Sequence, residues 1–190
     1  MMSKKGNLVV ISAPSGCGKG TILKGLFEKD KNEDNVFVLS VSMTTREPRG
    51  TEQDGVEYFF VNRERFEELI AQDQFIEYAQ FNGNYYGTPK PFIEKCISEG
   101  KTVFLEIEVQ GAEKVREKFP DSVSVFIIPP SLEELERRLR GRQTDAPEVI
   151  EERLKIAPVE LARQDEFDYR VVNDDVQRAI DEVYNIIKNL

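Results

Sequence analysis

The chain has 190 residues, with 26 Lys or Arg against 35 Asp or Glu, and a formal net charge of −9. This surplus of negative charge disfavours broad binding to nucleic acid or to an anionic membrane surface. Histidine is absent, which excludes Ser–His and Cys–His catalysis and any metal site built on imidazole. The length suits one α/β domain with small insertions.

The sequence shows no signal for membrane insertion or secretion, and no cysteine pattern typical of a metal or disulfide site. No run approaches the roughly 18 apolar residues of a membrane span, and residues 1–7 lack the apolar core of a signal peptide. Cys17 and Cys96 show neither a metal-ligand spacing nor a disulfide framework. We therefore expect a cytoplasmic protein that binds neither membrane nor nucleic acid.

The first strong signal along the chain is a phosphate-binding loop at residues 13–20. It follows a continuous apolar run, predicted as a buried strand over residues 8–12, and it leads into a helix-compatible segment that opens at Lys19. Glycines after such a strand place backbone N–H groups and a helix N-terminus around a polyphosphate, and the lysine reaches its outer phosphates. The pattern predicts phosphoryl transfer or nucleotide hydrolysis, and a turn that merely favours glycine is the structural alternative.

Two positions depart from the usual GxxxxGK(S/T) pattern of these loops. Ala13 stands where the first glycine is usual, which requires only a small side chain and a negative φ. Gly20 stands at the hydroxyl position, and the hydroxyl is delayed to Thr21. We expect Thr21 to reach Mg²⁺ only through water, or to serve mainly in the first turn of the helix.

Beyond the loop, strands and helices alternate with no repeat and no low-complexity linker. The continuous apolar character of the main strands favours a buried parallel sheet, and therefore an α/β fold. Strands are predicted over residues 8–12, 36–41, 103–107, 123–128 and 169–172, and helices are predicted after Lys19, Lys90, Ala112, Ser131, Pro147 and Asp175.

The middle of the chain, residues 44–88, changes to short alternating runs rich in Gly, Asn and Tyr. Runs at residues 56–61 and 75–81 indicate short strands, and Asn62 is predicted to cap a single helix between them. This segment is therefore predicted to be a small mixed β insertion.

Helix ends are marked in the last third of the chain. Ser131 with Glu134, and Asp145 with Glu148, have the spacing of capping boxes, so a short loop between two helices is predicted at residues 141–144. Pro158 then interrupts a helical pattern. A helix boundary near residues 155–157 is the simpler interpretation of this proline, and a lid hinge is the functional one.

Positive charge is concentrated in two clusters of this acidic chain. Arg46 and Arg49 lie in the segment TTREPRG, and four arginines lie together further on: Arg137, Arg138, Arg140 and Arg142. Guanidinium forks bind phosphate oxygens bidentately, which suits the clamping of a transferring group. Charge runs are also commonly solvated helix faces, so both interpretations stay open for the second cluster.

Four further motifs make a specific resemblance. SVSMTTREPRGTEQDGVEYFFV, FIEYAQFNGNYYGTP, FLEIEVQGA and RLRGRQT, in that order after the phosphate loop, resemble the guanylate kinases, and the likeness runs from residue 6 to residue 189. The resemblance implies a P-loop kinase fold with a parallel core sheet flanked by helices (residues 6–41, 89–136 and 164–189), a GMP-binding insertion (42–88) and a helical lid (137–163). It also implies transfer of the γ-phosphoryl group of ATP to GMP, and to dGMP, with Mg²⁺ as cofactor.

The resemblance assigns roles to individual residues. The ATP site would comprise Ala13, Pro14, Ser15, Gly16, Cys17, Gly18, Lys19, Gly20 and Thr21, with Asn173 as a contact on the adenine side. The GMP phosphate would bind Arg46, Arg49, Tyr58 and Tyr86, and the guanine base would face Ser42, Glu77, Thr88 and Glu108. Charge on the transferring group would be neutralised by Lys19, Arg46, Arg138, Arg142 and Arg153, and Mg²⁺ would be held by Thr21 and Glu106, directly or through water.

Elementary chemistry agrees with these roles. Two guanidinium forks and two phenol donors can saturate a phosphate monoester dianion. Guanine presents donors at N1 and N2, which carboxylates accept, whereas adenine presents an acceptor at N1.

The chain departs from the family pattern at Glu108, where Asp is usual, and at Gln143, where glycine is usual. Each role also has a structural alternative. The segment REPRG could be a charged turn, and the tyrosines could belong to the core. Glu106 and Glu108 could be polar residues at a strand end, and Arg153 could be a solvated helix residue.

Two other classes of protein share parts of this pattern. A non-catalytic guanylate-kinase-like scaffold module keeps the fold, but such modules typically erode the phosphate loop that is intact here. A P-loop kinase for another nucleotide and a GTPase also remain, although the chain has no NKxD-type base-reading motif.

Overall fold

The computed structural model describes residues 6–34, 36–81, 83–141 and 146–190. Its strands are β1 (Leu8–Ser12), β2 (Phe37–Leu39), β3 (Met43–Thr44), β4 (Phe59–Phe60), β5 (Phe75–Phe81), β6 (Asn84–Pro89), β7 (Thr102–Glu106), β8 (Val123–Ile128) and β9 (Tyr169–Val172). Its α-helices are α1 (Lys19–Lys31), α2 (Arg63–Ala71), α3 (Lys90–Ser98), α4 (Val109–Lys118), α5 (Leu132–Gly141), α6 (Pro147–Leu161) and α7 (Val176–Lys188).

Five of the strands form the core sheet, in the order β2, β7, β1, β8, β9. Every pairing in this sheet is parallel. The predicted parallel α/β core is therefore confirmed. Alternate residues of the central strand β1 serve opposite faces, because side chains alternate across a strand. Val9 and Ile11 pack in one hydrophobic cluster, and Leu8 and Val10 pack in the other.

This topology places three parts of the predicted nucleotide site at one edge of the core sheet. The carboxyl ends of parallel strands meet at the same edge of a sheet, where α/β proteins commonly bind ligands. The phosphate loop follows β1, Glu106 ends β7, and Asn173 follows β9. The order of the strands therefore brings together residues that lie far apart in the sequence.

Two predicted elements differ in length from the observed ones. The strand predicted over residues 36–41 covers only Phe37–Leu39, because it is an edge strand whose ladder is limited by its single neighbour β7. The helix predicted after Ala112 begins earlier, at Val109. Its first turn is closed by the Glu108 carbonyl, which accepts from the backbone N–H groups of Gly111 and Ala112 at 2.9 and 3.1 Å.

The insertion contains a second, mixed sheet in the order β4, β3, β6, β5. Strand β3 pairs in parallel with β4 and antiparallel with β6, as a mixed insertion requires. The predicted cap of α2 is confirmed, since Asn62 Oδ1 accepts from the Arg65 N–H at 2.8 Å. This helix buries Phe66 in a stack with Phe75 and Tyr85, with ring centroids 4.3 and 5.1 Å away. The stack joins the helix to the sheet that carries predicted GMP-binding residues.

Helix α5 begins with half of its predicted capping box. The Glu134 N–H donates to Ser131 Oγ at 3.1 Å, but the Glu134 carboxylate binds arginines of its own helix. The second predicted box cannot be compared, because Asp145 lies outside the described residues.

The structure corrects the interpretation of Pro158. Helix α6 runs from Pro147 to Leu161 and contains this proline, so the favoured boundary near residues 155–157 is wrong. A proline inside a helix costs about 3 kcal/mol through its lost donor and steric clash. Ile150 and Ala157 of the same helix are buried in the core, and we attribute the continuity of the helix to that packing.

None of the helices in the described part of the chain is long and apolar enough to cross a bilayer.

Candidate active site

The phosphate loop has a backbone that only glycine adopts readily at two positions. Gly16 and Gly18 have φ values of 93° and 88°, in the left-handed region that side chains disfavour. A Cβ at Gly16 would also lie 2.7 Å from Leu139 Cδ2, so glycine allows α5 to pack closely on the loop. Ala13 is not among the described residues with positive φ, which confirms that alanine is tolerated there.

A cavity of about 280 Å³ lies over this loop. It is lined by the loop residues Ala13, Pro14, Ser15, Gly16, Cys17, Gly18, Lys19 and Gly20, and by Glu106, Glu108 and Glu160. The Lys19 Nζ lies 3.9 Å from Glu106 Oε1, so the lysine and the end of β7 face each other across the cavity. Thr21 is exposed in the first turn of α1 and does not line the cavity.

Glu160 is a cavity residue that sequence reasoning missed. It lies on α6, and its pKa is raised by burial and then by the nearby charge of Glu108, while Lys19 acts in the opposite direction. The sequence carries no local signal for this position, because only the packing of α6 brings it to the loop.

A second cavity, of about 140 Å³, lies beside the first. Ser42, Tyr58 and Thr88 line it, as does Glu106, which therefore borders both cavities. Thr88 is 1% exposed, and its Oγ1 donates to Glu77 Oε1 at 2.6 Å. The structure thus brings three of the four predicted base-binding residues together, and it places the fourth, Glu108, in the loop cavity instead.

The predicted acceptor-phosphate residues form one cluster. The Arg46 guanidinium lies over the Tyr58 ring, 5.4 Å from its centroid. The Tyr58 and Tyr86 rings meet edge to face at 6.0 Å. The hydrogen bond with Glu52 is the main cause of the raised pKa of Arg46, and Tyr86 makes a smaller contribution in the same direction. Arg49 is exposed at the edge of this cluster.

Glu52 organises the two arginines, and sequence reasoning missed it. Its carboxylate holds Arg46 bidentately, with Nη2 3.0 Å from Oε1 and Nη1 3.0 Å from Oε2. The same Oε2 accepts from the Arg49 N–H at 2.8 Å. The hydrogen bond from Arg46 lowers the pKa of the carboxyl and keeps it ionised. An acid six residues after an arginine in one loop was a signal that could have identified this residue.

The second arginine cluster divides into surface pairs and one inward residue. Arg137 is 76% exposed and pairs with Glu134, whereas Arg140 pairs with Glu136 and with Glu151 of α6. Arg138 instead points inward, donating from Nη2 to the Asn173 carbonyl at 2.9 Å and from Nε to Glu134 Oε1 at 2.8 Å.

Bonds from Arg137 and then Arg138 lower the pKa of Glu134 to about 2, so its charge persists at any working pH. Arg153 lies half-buried on α6. Arg142 and Gln143 lie outside the described residues, and the clamp role of Arg142 stays a prediction.

Asn173 lies beneath the phosphate loop. It is 1% exposed, and its Nδ2 donates to the Cys17 carbonyl at 2.8 Å. The predicted adenine contact stays a prediction, but the observed side chain is directed at the loop backbone.

The donor set suits a magnesium ion that is held mainly by nucleotide. No group of three or more Cys, Asp or Glu residues in the described ranges has the geometry of a metal cage. Mg²⁺ in kinases typically keeps several waters and binds one or two carboxylates together with substrate phosphates. The exposed carboxylate of Glu106, at the border of the two cavities, fits that role.

Comparison with known proteins identifies the family. Residues 5–190 match the family model described as guanylate kinase. The chain belongs to the guanylate kinase family. Curated relatives named guanylate kinase from Bacillus cereus and Streptococcus agalactiae are 51% and 52% identical over 187 residues, covering 98% of this chain and 90% and 88% of those proteins. A crystal structure of guanylate kinase from Anaplasma phagocytophilum matches with a TM-score of 0.73 and 36% identity, covering 100% of this chain and 88% of that one.

Proposed function

We propose that the protein transfers the γ-phosphoryl group of ATP to GMP, and to dGMP, giving ADP and GDP. The observation that carries this proposal is the pair of adjoining cavities, one built on the phosphate loop and one on the insertion, with Glu106 bordering both. Phosphoryl transfer between two nucleotides needs the attacking and leaving oxygens to lie roughly in line, which adjoining sites allow. Membership of the guanylate kinase family supports GMP as the acceptor.

On the donor side, the loop backbone and Lys19 bind the ATP phosphates. Gly16 and Gly18 leave the loop N–H groups unshielded by side chains, and the helix N-terminus that opens at Lys19 favours negative charge. Glu106 would be the protein contact of Mg²⁺, with Thr21 acting through water, and the ion would neutralise negative charge on the ATP phosphates. Arg138, next to the loop, supplies positive charge to the transferring group, together with Arg142 and Arg153.

On the acceptor side, Arg46, Arg49, Tyr58 and Tyr86 bind the GMP phosphate. The bidentate hold of Glu52 presets the Arg46 guanidinium, which limits the side-chain entropy lost on binding. Glu77 reads the guanine donors, and its contact with Thr88 fixes one carboxylate oxygen and leaves the other for the base. Ser42, which lines the same cavity as Thr88, completes the base site.

The reaction requires alignment and charge, and no covalent intermediate. The nucleophile is an oxygen of the GMP phosphate, which already carries negative charge, so no histidine base is needed. We further propose that the insertion (residues 42–88) and the lid (residues 137–163) close over the core, which aligns the two nucleotides and excludes water.

The test of this function compares acceptors in one assay. The protein is incubated with ATP, Mg²⁺ and each of GMP, dGMP, AMP, CMP and UMP, and ADP release is followed. Turnover with GMP and dGMP alone supports the proposal. Turnover with another nucleotide would identify a different monophosphate kinase, ADP release without any acceptor would indicate a hydrolase, and no turnover would favour a binding module.

We predict that Glu52→Gln raises the KM for GMP at least about threefold, because charge-assisted hydrogen bonds are roughly twice as strong as neutral ones and Gln also loses one acceptor oxygen. The KM for ATP should stay within about twofold, since Glu52 contacts only acceptor-side groups. Glu47→Gln removes the same charge from an exposed position of the same loop and is the matched control. Equal effects of the two variants on the KM for GMP would contradict the role of Glu52.

We predict that Arg138→Ala lowers kcat at least about tenfold, because a guanidinium beside the loop stabilises charge that develops in the transition state. Arg137→Ala is the matched control, since Arg137 shares the partner Glu134 but is directed to solvent. Its kcat should stay within about twofold of the unmodified protein. A parallel fall in both variants would show that Glu134 and its ion pairs, and no single arginine, carry the effect.

A further inference from the structure

Asn173 connects three parts of the donor site. Its backbone N–H donates to the Ile128 carbonyl at the end of β8, at 2.8 Å. Its side-chain Nδ2 donates to the Cys17 carbonyl in the phosphate loop at 2.8 Å, and its own carbonyl accepts from Arg138 Nη2 at 2.9 Å. One residue therefore links the core sheet, the loop and an arginine of α5.

The orientation of the Asn173 amide is determined by its surroundings. Turning the amide over would place Oδ1 against the Cys17 carbonyl, and two acceptors repel each other. In the observed orientation Oδ1 is buried and has no hydrogen-bond partner within the described residues. A buried unpaired oxygen is unfavourable. The fold tolerates it here while keeping the donor on the loop.

Gly18 shows how closely the amide supports the loop. A Cβ at Gly18 would lie 2.4 Å from Asn173 Nδ2, so the left-handed turn of the loop rests directly on this nitrogen. Glycine is therefore required at this position for two reasons. Any other residue would be strained by the positive φ, and its Cβ would clash with the buried amide of Asn173.

We propose that Asn173 is a positioning residue for the phosphate loop, a role distinct from the predicted adenine contact and resting on the proposed function. In a trans peptide the C=O and the following N–H point in opposite directions. Asn173 holds the Cys17 carbonyl toward the core, so the Gly18 N–H is directed to the other side of the loop, where the cavity lies. The amide thereby aims a backbone donor at the ATP phosphates.

The test compares two substitutions of Asn173 with a matched control. Asn173→Asp keeps the shape but sets an acceptor against the Cys17 carbonyl, and we expect the Kd for ATP with Mg²⁺, measured without GMP, to rise at least about tenfold. Asn173→Ala removes the donor without the repulsion, so a smaller rise is expected. In both variants the KM for GMP at saturating ATP should stay within about twofold.

Ser124→Ala is the control for a purely structural loss. Ser124 is buried, and its Oγ donates to Asp168 Oδ2 at 2.6 Å near the start of β8, away from the loop. Its removal should lower stability and leave ATP binding unchanged. The proposal is overturned if the Asn173 variants bind ATP as Ser124→Ala does, or if Asn173→Ala binds ATP more weakly than Asn173→Asp, which would indicate packing.

A folding failure of Asn173→Asp would leave the comparison of Asn173→Ala with Ser124→Ala to decide, and equal Kd values for ATP would then overturn the proposal. Failure of the proposed function would look different, because the unmodified protein itself would then not phosphorylate GMP.

Discussion

Lys19→Ala is expected to fold normally and to lower kcat at least about a hundredfold, which is a loss of roughly 2.7 kcal/mol of transition-state stabilisation. The lysine lies at the N-terminus of α1 and lines the loop cavity, where the proposed function places the charge of the transferring phosphoryl group. Its ion pair with Glu106 is long, at 3.9 Å, and one partner is 41% exposed. Loss of such a pair should change the free energy of unfolding by about 1 kcal/mol or less.

The control for this prediction is Lys24→Ala, which removes the same side chain from an exposed position of the same helix. Its kcat should stay within about twofold of the unmodified protein. Steady-state ADP release and denaturant unfolding are measured on all three proteins. Near-normal turnover in a folded Lys19→Ala protein would show that the loop is not the phosphate site.

Glu77→Gln is expected to weaken the preference of the enzyme for GMP over AMP. The substitution replaces one acceptor oxygen by an NH₂ donor, which opposes the N1 or N2 donor of guanine but can face N1 of adenine. A buried mismatch of this kind costs about 1 to 3 kcal/mol, so kcat/KM for GMP should fall by at least about tenfold. The value for AMP should hold or rise.

The contact between Thr88 and Glu77 strengthens this prediction. The hydroxyl donates to one carboxylate oxygen at 2.6 Å, so the substitution should act mainly on the other oxygen, which the proposed function assigns to the base. Glu68→Gln, on the exposed face of α2, removes an equal charge outside both cavities and is the control. A parallel fall for GMP and AMP would mean that Glu77 supports the fold, and an unchanged GMP value would direct attention to Glu108.

Much of the fold was predictable because its signals are local. The strand Leu8–Ser12 has an apolar residue at almost every position, and such a continuous run is typical of a strand that is buried on both faces. The phosphate loop needs glycine where φ is positive, and the sequence has glycine at both of these positions, Gly16 and Gly18. Asn62 caps its helix with its own side chain, so neighbouring residues suffice to identify it. Signals of this kind do not depend on the rest of the molecule.

Part of the candidate site was also predictable, since its residues lie in contiguous motifs. Arg46 and Arg49 share one loop, and their type and spacing already suited a phosphate. Glu52 belongs to the same loop, six residues after Arg46, and pairs with it through both carboxylate oxygens. The lengths of weak elements were less certain, as the edge strand Phe37–Leu39 shows, because pairing with a neighbour decides where a strand ends.

The tertiary structure alone decided the direction of individual side chains in the charged segments. Packing of α5 on the core directs Arg138 to the Asn173 carbonyl and Arg137 to solvent, although the two are adjacent in a run of similar residues. Packing of α6 carries Glu160 to the loop cavity and keeps the helix continuous through Pro158, against the local preference of proline. Periodicity and backbone requirements are properties of short windows, whereas contacts between distant segments depend on how whole elements pack, and no window of sequence contains that information.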